Sequence, residues 1–104
     1  MKTLFVVNQI RGKAWNTNTS LRSQELWDEH ASYMDQLTAE GFILLGGPLG
    51  DAESAAMLVV DAPNEEVVQA KLARDPWRAS GHLVEPKIQC WTIFLEAAGR
   101  AAAA

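Results

Sequence analysis

FILLGGPLGDAESAAMLVVD, residues 42–61, is the stretch on which the fold turns. Two apolar runs, Phe42–Leu49 and Ala55–Asp61, flank the short connection GDAES at 50–54. Runs of this length, closed by a Gly- and Asp-bearing loop, predict two strands joined as a hairpin. Gly46, Gly47 and Pro48 cut the first strand short. Where side chains are missing, another group can come close to the strand backbone.

Working outward from the hairpin fixes the topology. Upstream, Thr3–Ile10 is short and β-rich and ends at Arg11-Gly12, which predicts a first strand. From Leu21 to Glu40 the period becomes helical: Leu26, His30, Tyr33 and Leu37 recur at steps of four, three and four, with Trp27 and Met34 alongside. Ser20 or Ser23 can cap that helix, and Gly41 ends it as a left-handed C′ residue. Downstream, Pro63-Asn64-Glu65-Glu66 opens a second helix with acidic residues at the end its dipole favours. Its inner face carries Val67, Ala70, Lys71 and Leu72 up to about Arg74, and Asp75-Pro76 stops it. Leu83–Leu95 predicts the final strand, with Pro86 placing its start at an edge. The order β-α-β-β-α-β predicts an α+β, ferredoxin-like fold, a four-stranded antiparallel sheet with both helices on one face.

The sheet is apolar on both faces. Leu4 and Val6 oppose Phe5 and Val7; Phe42 and Leu44 oppose Ile43 and Leu45; Ile88, Cys90 and Phe94 oppose Trp91, Ile93 and Leu95. A sheet with one wet face alternates cleanly, so the helix-free face calls for a cover, and a homodimer laying sheet on sheet is expected.

At 104 residues, 48% apolar and 21% charged, the chain has the length and composition of one globular domain, residues 1–96, followed by an Ala-rich tail at 97–104. A net charge of −4 without a basic patch argues against nucleic acid as a partner. No window approaches the roughly 18 apolar residues of a membrane span, and MKTLFVVNQIRG lacks the pattern of a signal peptide. No membrane association and a cytoplasmic location are expected. The single Cys90 is read as a small buried hydrophobe, inert to thiol reagents in the native state. No phosphate loop, nucleotide fingerprint or metal-ligand cluster is present, so chemistry without a cofactor is expected.

His30 is the oddity of the first helix, because it stands on the apolar stripe between Leu26 and Leu37. An imidazole there needs a hydrogen-bond partner, whether a backbone carbonyl or a catalytic group. Asp75, held ahead of Pro76, presents a carboxylate after the second helix, although an Asp-Pro step is also a common turn. If the two meet, about 2.6–3.2 Å apart, the carboxylate orients the imidazole as a general acid/base. The cavity beside them is expected near Gly47 and Pro48, with Tyr33 and Trp77 among its walls and a small molecule as its ligand. His82, after Gly81 at a strand start, is expected to be exposed. The polar GKAWNTNTS stretch at 12–20 predicts a long surface loop pinned to the core by Trp15.

His30, GGP at 46–48 and DPW at 75–77 followed by Gly81 together resemble the YciI-like, or YCII-related, domain family. The resemblance covers about residues 3–95. It implies a dimeric α/β-barrel fold and a His–Asp active site, which falls on His30 and Asp75 here. It further implies reactions of the dehydrochlorinase or muconolactone-isomerase kind, namely proton transfer, elimination or isomerisation on a small cyclic or aromatic compound. The alternative is a non-catalytic binding or dimerisation module on the same fold. The loop after the first strand is longer than the family usually shows, and tryptophan replaces its commoner Phe or Tyr after Asp-Pro.

Overall fold

The computed structural model describes residues 2–50 and 55–97. The hairpin connection at 51–54 and, beyond Ala97, the expected Ala-rich tail lie outside the described residues. The elements are β1 (Lys2–Gln9), α1 (Trp27–Ala39), β2 (Ile43–Leu49), β3 (Ala55–Val60), α2 (Glu65–Ala73), α3 (Pro76–Ser80) and β4 (Lys87–Ile93), with a single 3-10 turn at Leu21–Ser23. They build one four-stranded sheet in the order β2-β3-β1-β4, antiparallel throughout. This is the ferredoxin-like α+β fold expected from the order of elements.

The core lies between the sheet and the helices. Phe5 and Val7 of β1 and Leu58 and Val60 of β3 meet Leu37 of α1 and Val68 and Leu72 of α2. Each such side chain, fully buried, contributes about 1.5–3 kcal/mol. Asn64 caps α2 by accepting a 2.9 Å hydrogen bond from Val67 N–H. Tyr33 packs against the same core, and its hydroxyl donates to the Lys71 carbonyl at 2.6 Å. Burial pushes the Tyr33 phenol above its usual 10.0. The folded state therefore favours the protonated phenol, so this contribution is fully present below the unfolded value and is lost as pH rises through the raised one. Tyr33→Phe is expected to cost about 1 kcal/mol in urea unfolding near neutral pH and to flatten the alkaline loss of stability. An unchanged alkaline slope would place that titration elsewhere.

Several expectations need correction. α1 starts at Trp27 rather than Leu21, because Leu26 adopts the left-handed region at φ 63° and stands 40% exposed. Asp75-Pro76 does more than stop α2. Proline at the first helical position opens α3, and Gly81 ends it at φ 86°. β4 begins at Lys87; Leu83 instead forms an isolated bridge with Arg11. β2 runs on through Gly46, Gly47 and Pro48, which an edge strand, the place where sheets admit proline, tolerates.

Strand β2 also changes parity. Ile43 pairs with Val60 but Leu45 pairs with Val59, leaving Leu44 as the extra residue of a β-bulge. Ile43 and Leu45 thus end on opposite faces, against the simple alternation. Gly46 falls opposite Leu58, where a Cβ would stand 2.6 Å from a Leu58 methyl, whereas one on Gly47 would meet open space.

Cys90 is exposed, not buried. It pairs with Phe5 and so lies on the helix-side face, but β4 is an edge strand beyond the helices' cover. Near-stoichiometric labelling of the native protein by a maleimide is expected, and resistance until denaturation would restore the buried reading.

The helix-free face is apolar as expected. Leu4, Leu44, Leu45, Val59, Trp91 and Ile93 surround a hollow of about 400 Å³ there, and Leu44, Leu45 and Trp91 are each at least 40% exposed. Among the described residues no helix is long and apolar enough to cross a membrane.

Candidate active site

His30 sits in the first turns of α1 and Asp75 caps α3, 45 residues later in the chain. The fold brings them together. His30 Nδ1 lies 2.9 and 2.8 Å from the two Asp75 carboxylate oxygens. The ring is 7% exposed and the aspartate 2%. Asp75 Oδ1 also accepts the Trp77 backbone N–H at 2.9 Å, so one carboxylate caps α3 and holds the histidine. Against an ionised carboxylate, which only accepts, Nδ1 is the donor, and Nε2 is the ring nitrogen left for another partner. Among the described residues no buried side-chain nitrogen or oxygen lacks a partner, and Nε2 makes no hydrogen bond, so it is the open edge of the ring.

That edge meets a cavity of about 340 Å³ running between α1 and β2. Trp15, Trp27 and Trp77 form its aromatic end; Met34, Ile43 and Leu58 continue the apolar wall; Gly47 and Pro48 contribute backbone and ring. Gln9, Arg11, Asp35 and Thr38 supply polar groups at its margin. Pockets of this kind, mostly apolar with few convergent polar groups, hold small molecules.

Trp77 organises the site. It is 2% exposed and stacks on His30 with ring centroids 3.8 Å apart and planes 11° from parallel. Its indole N–H donates to the Glu25 carbonyl at 2.7 Å, and Trp15 meets it edge-on at 5.2 Å. The imidazole is therefore fixed in orientation by a carboxylate on its edge and an indole on its face.

Of the residues expected at the site, His30, Gly47, Pro48 and Trp77 line the cavity, and Asp75 lies behind His30. Tyr33 is not among the lining residues; its hydroxyl is spent on α2. His82, expected at the surface, is buried at 4% exposure. It flanks Trp77 at 5.6 Å on a nearly parallel plane, and its Nδ1 lies 2.7 Å from Ser80 Oγ. Trp15 and Trp27 also line the cavity; helical periodicity gave no reason to choose Trp27, and Trp15 was expected to pin its loop to the core. Among the described residues no group of three or more His, Cys, Asp or Glu could hold a metal ion.

A structure similar in fold is 5-chloro-2-hydroxyhydroquinone dehydrochlorinase from Burkholderia phenoliruptrix, solved in complex with 2,5-dihydroxybenzoquinone. It has a TM-score of 0.64 and 20% identity, with 86% of this chain and 93% of that one covered. At that identity the likeness is one of fold. Among curated proteins none matches the sequence. The profile of the YCII-related domain matches residues 1–92, nearly the whole length that carries the sheet, the helices and the His30–Asp75 pair. By that match the chain belongs to the YCII-related domain family.

Proposed function

We propose that the protein is a cofactor-independent enzyme acting on a small cyclic or aromatic compound, with His30 as general acid/base and Asp75 as its orienting partner. The observation that carries this reading is the Nδ1–carboxylate pair at 2.8–2.9 Å behind an imidazole whose other nitrogen opens on an apolar cavity. Nε2 takes a proton from a ring carbon or hydroxyl. The Asp75 carboxylate balances the charge that the imidazole then carries. In an isomerisation the same nitrogen returns the proton at another position; in an elimination the electron pair of the broken bond expels a leaving anion. Gly47 and Pro48 form one side of the bound compound's slot and Trp77 sets the ring plane of the base. The domain that does this is residues 1–96.

The fold neighbour's complex with 2,5-dihydroxybenzoquinone supports the substrate class and supplies a first probe. A ring-compound screen on the wild type and on His30→Gln, read by tryptophan fluorescence and by product analysis, tests the proposal. Turnover of a hit by wild type alone is the expected result. Equal binding by both proteins with no product from either would leave the alternative, a non-catalytic small-molecule-binding module.

The working form is a homodimer in the cytoplasm, with the helix-free faces of two sheets apposed. Exposed Leu44, Leu45 and Trp91 around the hollow on that face support it. Light scattering is expected to give twice the chain mass at micromolar concentration, and Trp91→Glu to give the monomer. A wild-type monomer would overturn this part.

A further inference from the structure

We propose that Gln24 is a positioning residue of the cavity, holding Trp15 and Leu21 in place as a fixed wall; this rests on the reading of the cavity as the substrate site. Gln24 is 4% exposed although it lies in a polar stretch between a 3-10 turn and α1. Its amide is used at both ends by the loop that precedes it. Oε1 accepts the Asn16 N–H at 2.9 Å, and Nε2 donates to the Asn16 carbonyl at 2.7 Å. Nε2 also reaches Thr19 Oγ1 at 3.0 Å and lies 3.4 Å from the Thr19 and Ser20 carbonyls. One side chain thereby grips both backbone groups of Asn16, the neighbour of Trp15. A primary amide with two donors and two lone pairs is suited to this, and leaving them unmade in a buried place is costly.

The loop is fastened at its other end to the segment that carries the active-site aspartate. Gly12 N–H donates to the His82 carbonyl at 2.8 Å and Ala14 N–H to the Gly81 carbonyl at 3.1 Å. A Cβ on Gly12 would stand 2.2 Å from the Gly81 oxygen, so only glycine allows that approach. Between these anchors the loop projects two side chains into the cavity, Trp15 and Leu21. Trp15 meets Trp77 in a T-shaped contact at 5.2 Å, and the Arg11 guanidinium stands 4.0 Å over the Trp15 ring. Gln24 closes the ring of contacts, so the space beside His30 has a fixed width and the ring size it admits follows from Gln24.

Gln24→Ala and Gln24→Glu test this. Tryptic cleavage at the exposed Lys13 and Arg22 reports opening of the loop, and the near-UV circular dichroism of the Trp15–Trp77 pair reports the position of Trp15. In Gln24→Ala, cleavage at these sites is expected to accelerate about tenfold or more at unchanged far-UV signal, because proteolysis follows the open population. In Gln24→Glu the carboxylate faces the Asn16, Thr19 and Ser20 oxygens at neutral pH, and protonation returns one donor. The difference between its near-UV signal and that of the wild type at the same pH is therefore expected to shrink as pH falls. Selectivity is read as the ratio of dissociation constants for 2,5-dihydroxybenzoquinone and the two-ring 2-hydroxy-1,4-naphthoquinone. That ratio is expected to shift toward the larger ring by about tenfold in Gln24→Ala. Folded variants with wild-type cleavage and near-UV signal overturn the proposal. If wild type binds neither quinone, the substrate reading fails separately, and the two loop measurements still decide the role of Gln24.

Discussion

Asp75→Ala is expected to lower folding stability by about 3–5 kcal/mol, the usual loss when one partner of a buried pair is removed. Two groups lose their acceptor together. His30 Nδ1 loses its partner in a place only 7% exposed, and the Trp77 N–H at the start of α3 loses its cap. At about 4–8 °C per kcal/mol for a domain of this size, the melting temperature is expected to fall by more than about 10 °C. Asp75→Asn separates the two duties of the carboxylate. The asparagine side chain keeps an oxygen for the Trp77 cap but sets an N–H against Nδ1, which drives the imidazole proton to Nε2. A melting temperature close to wild type, with the His30 tautomer reversed in nitrogen NMR, is expected. A mild Asp75→Ala variant would mean that water replaces the carboxylate at little cost.

The second large effect belongs to His30. Once the screen supplies a substrate, His30→Gln is expected to lower kcat by about 10²–10⁴-fold, the range for a positioned general acid/base, with the dissociation constant changed little. Glutamine keeps a polar group beside Asp75 and so limits the structural cost. Loss of binding with intact kcat would instead make His30 a ligand contact.

The pair itself was legible because its signal is a contradiction within a pattern. A histidine on the stripe that also carries Leu37 needs a partner, backbone or side chain; the Asp-Pro step offered a carboxylate after α2, and the family resemblance joined the two. The order of strands and helices was legible because continuous apolar runs and a helical period replace one another at Gly41 and Pro63. What escaped depends on neighbours that no local pattern announces. Gln24 is a polar residue in a polar stretch, and only the folded loop turns it inward. His82 is buried because α3 exists and brings Trp77 against it; read as a simple stop, Asp75-Pro76 gave no reason to expect that cover. Cys90 has the sequence of a core position, but its strand lies at the border of the sheet. Parity in β2 was read straight through Leu44, since one extra residue alters no composition and no period long enough to notice.

That extra residue gives the sheet a party wall. Leu44 and Leu45 line the cavity beside His30 and also the hollow on the opposite face, so two compartments on either side of one strand share the same pair of leucines. An occupant of either compartment rests on these same side chains, and if one occupant shifts them the other meets a changed wall. Thermodynamic reciprocity then makes the exchange even-handed: a compound that tightens an occupant of the far face is itself held more tightly, by the same factor, when that occupant is present.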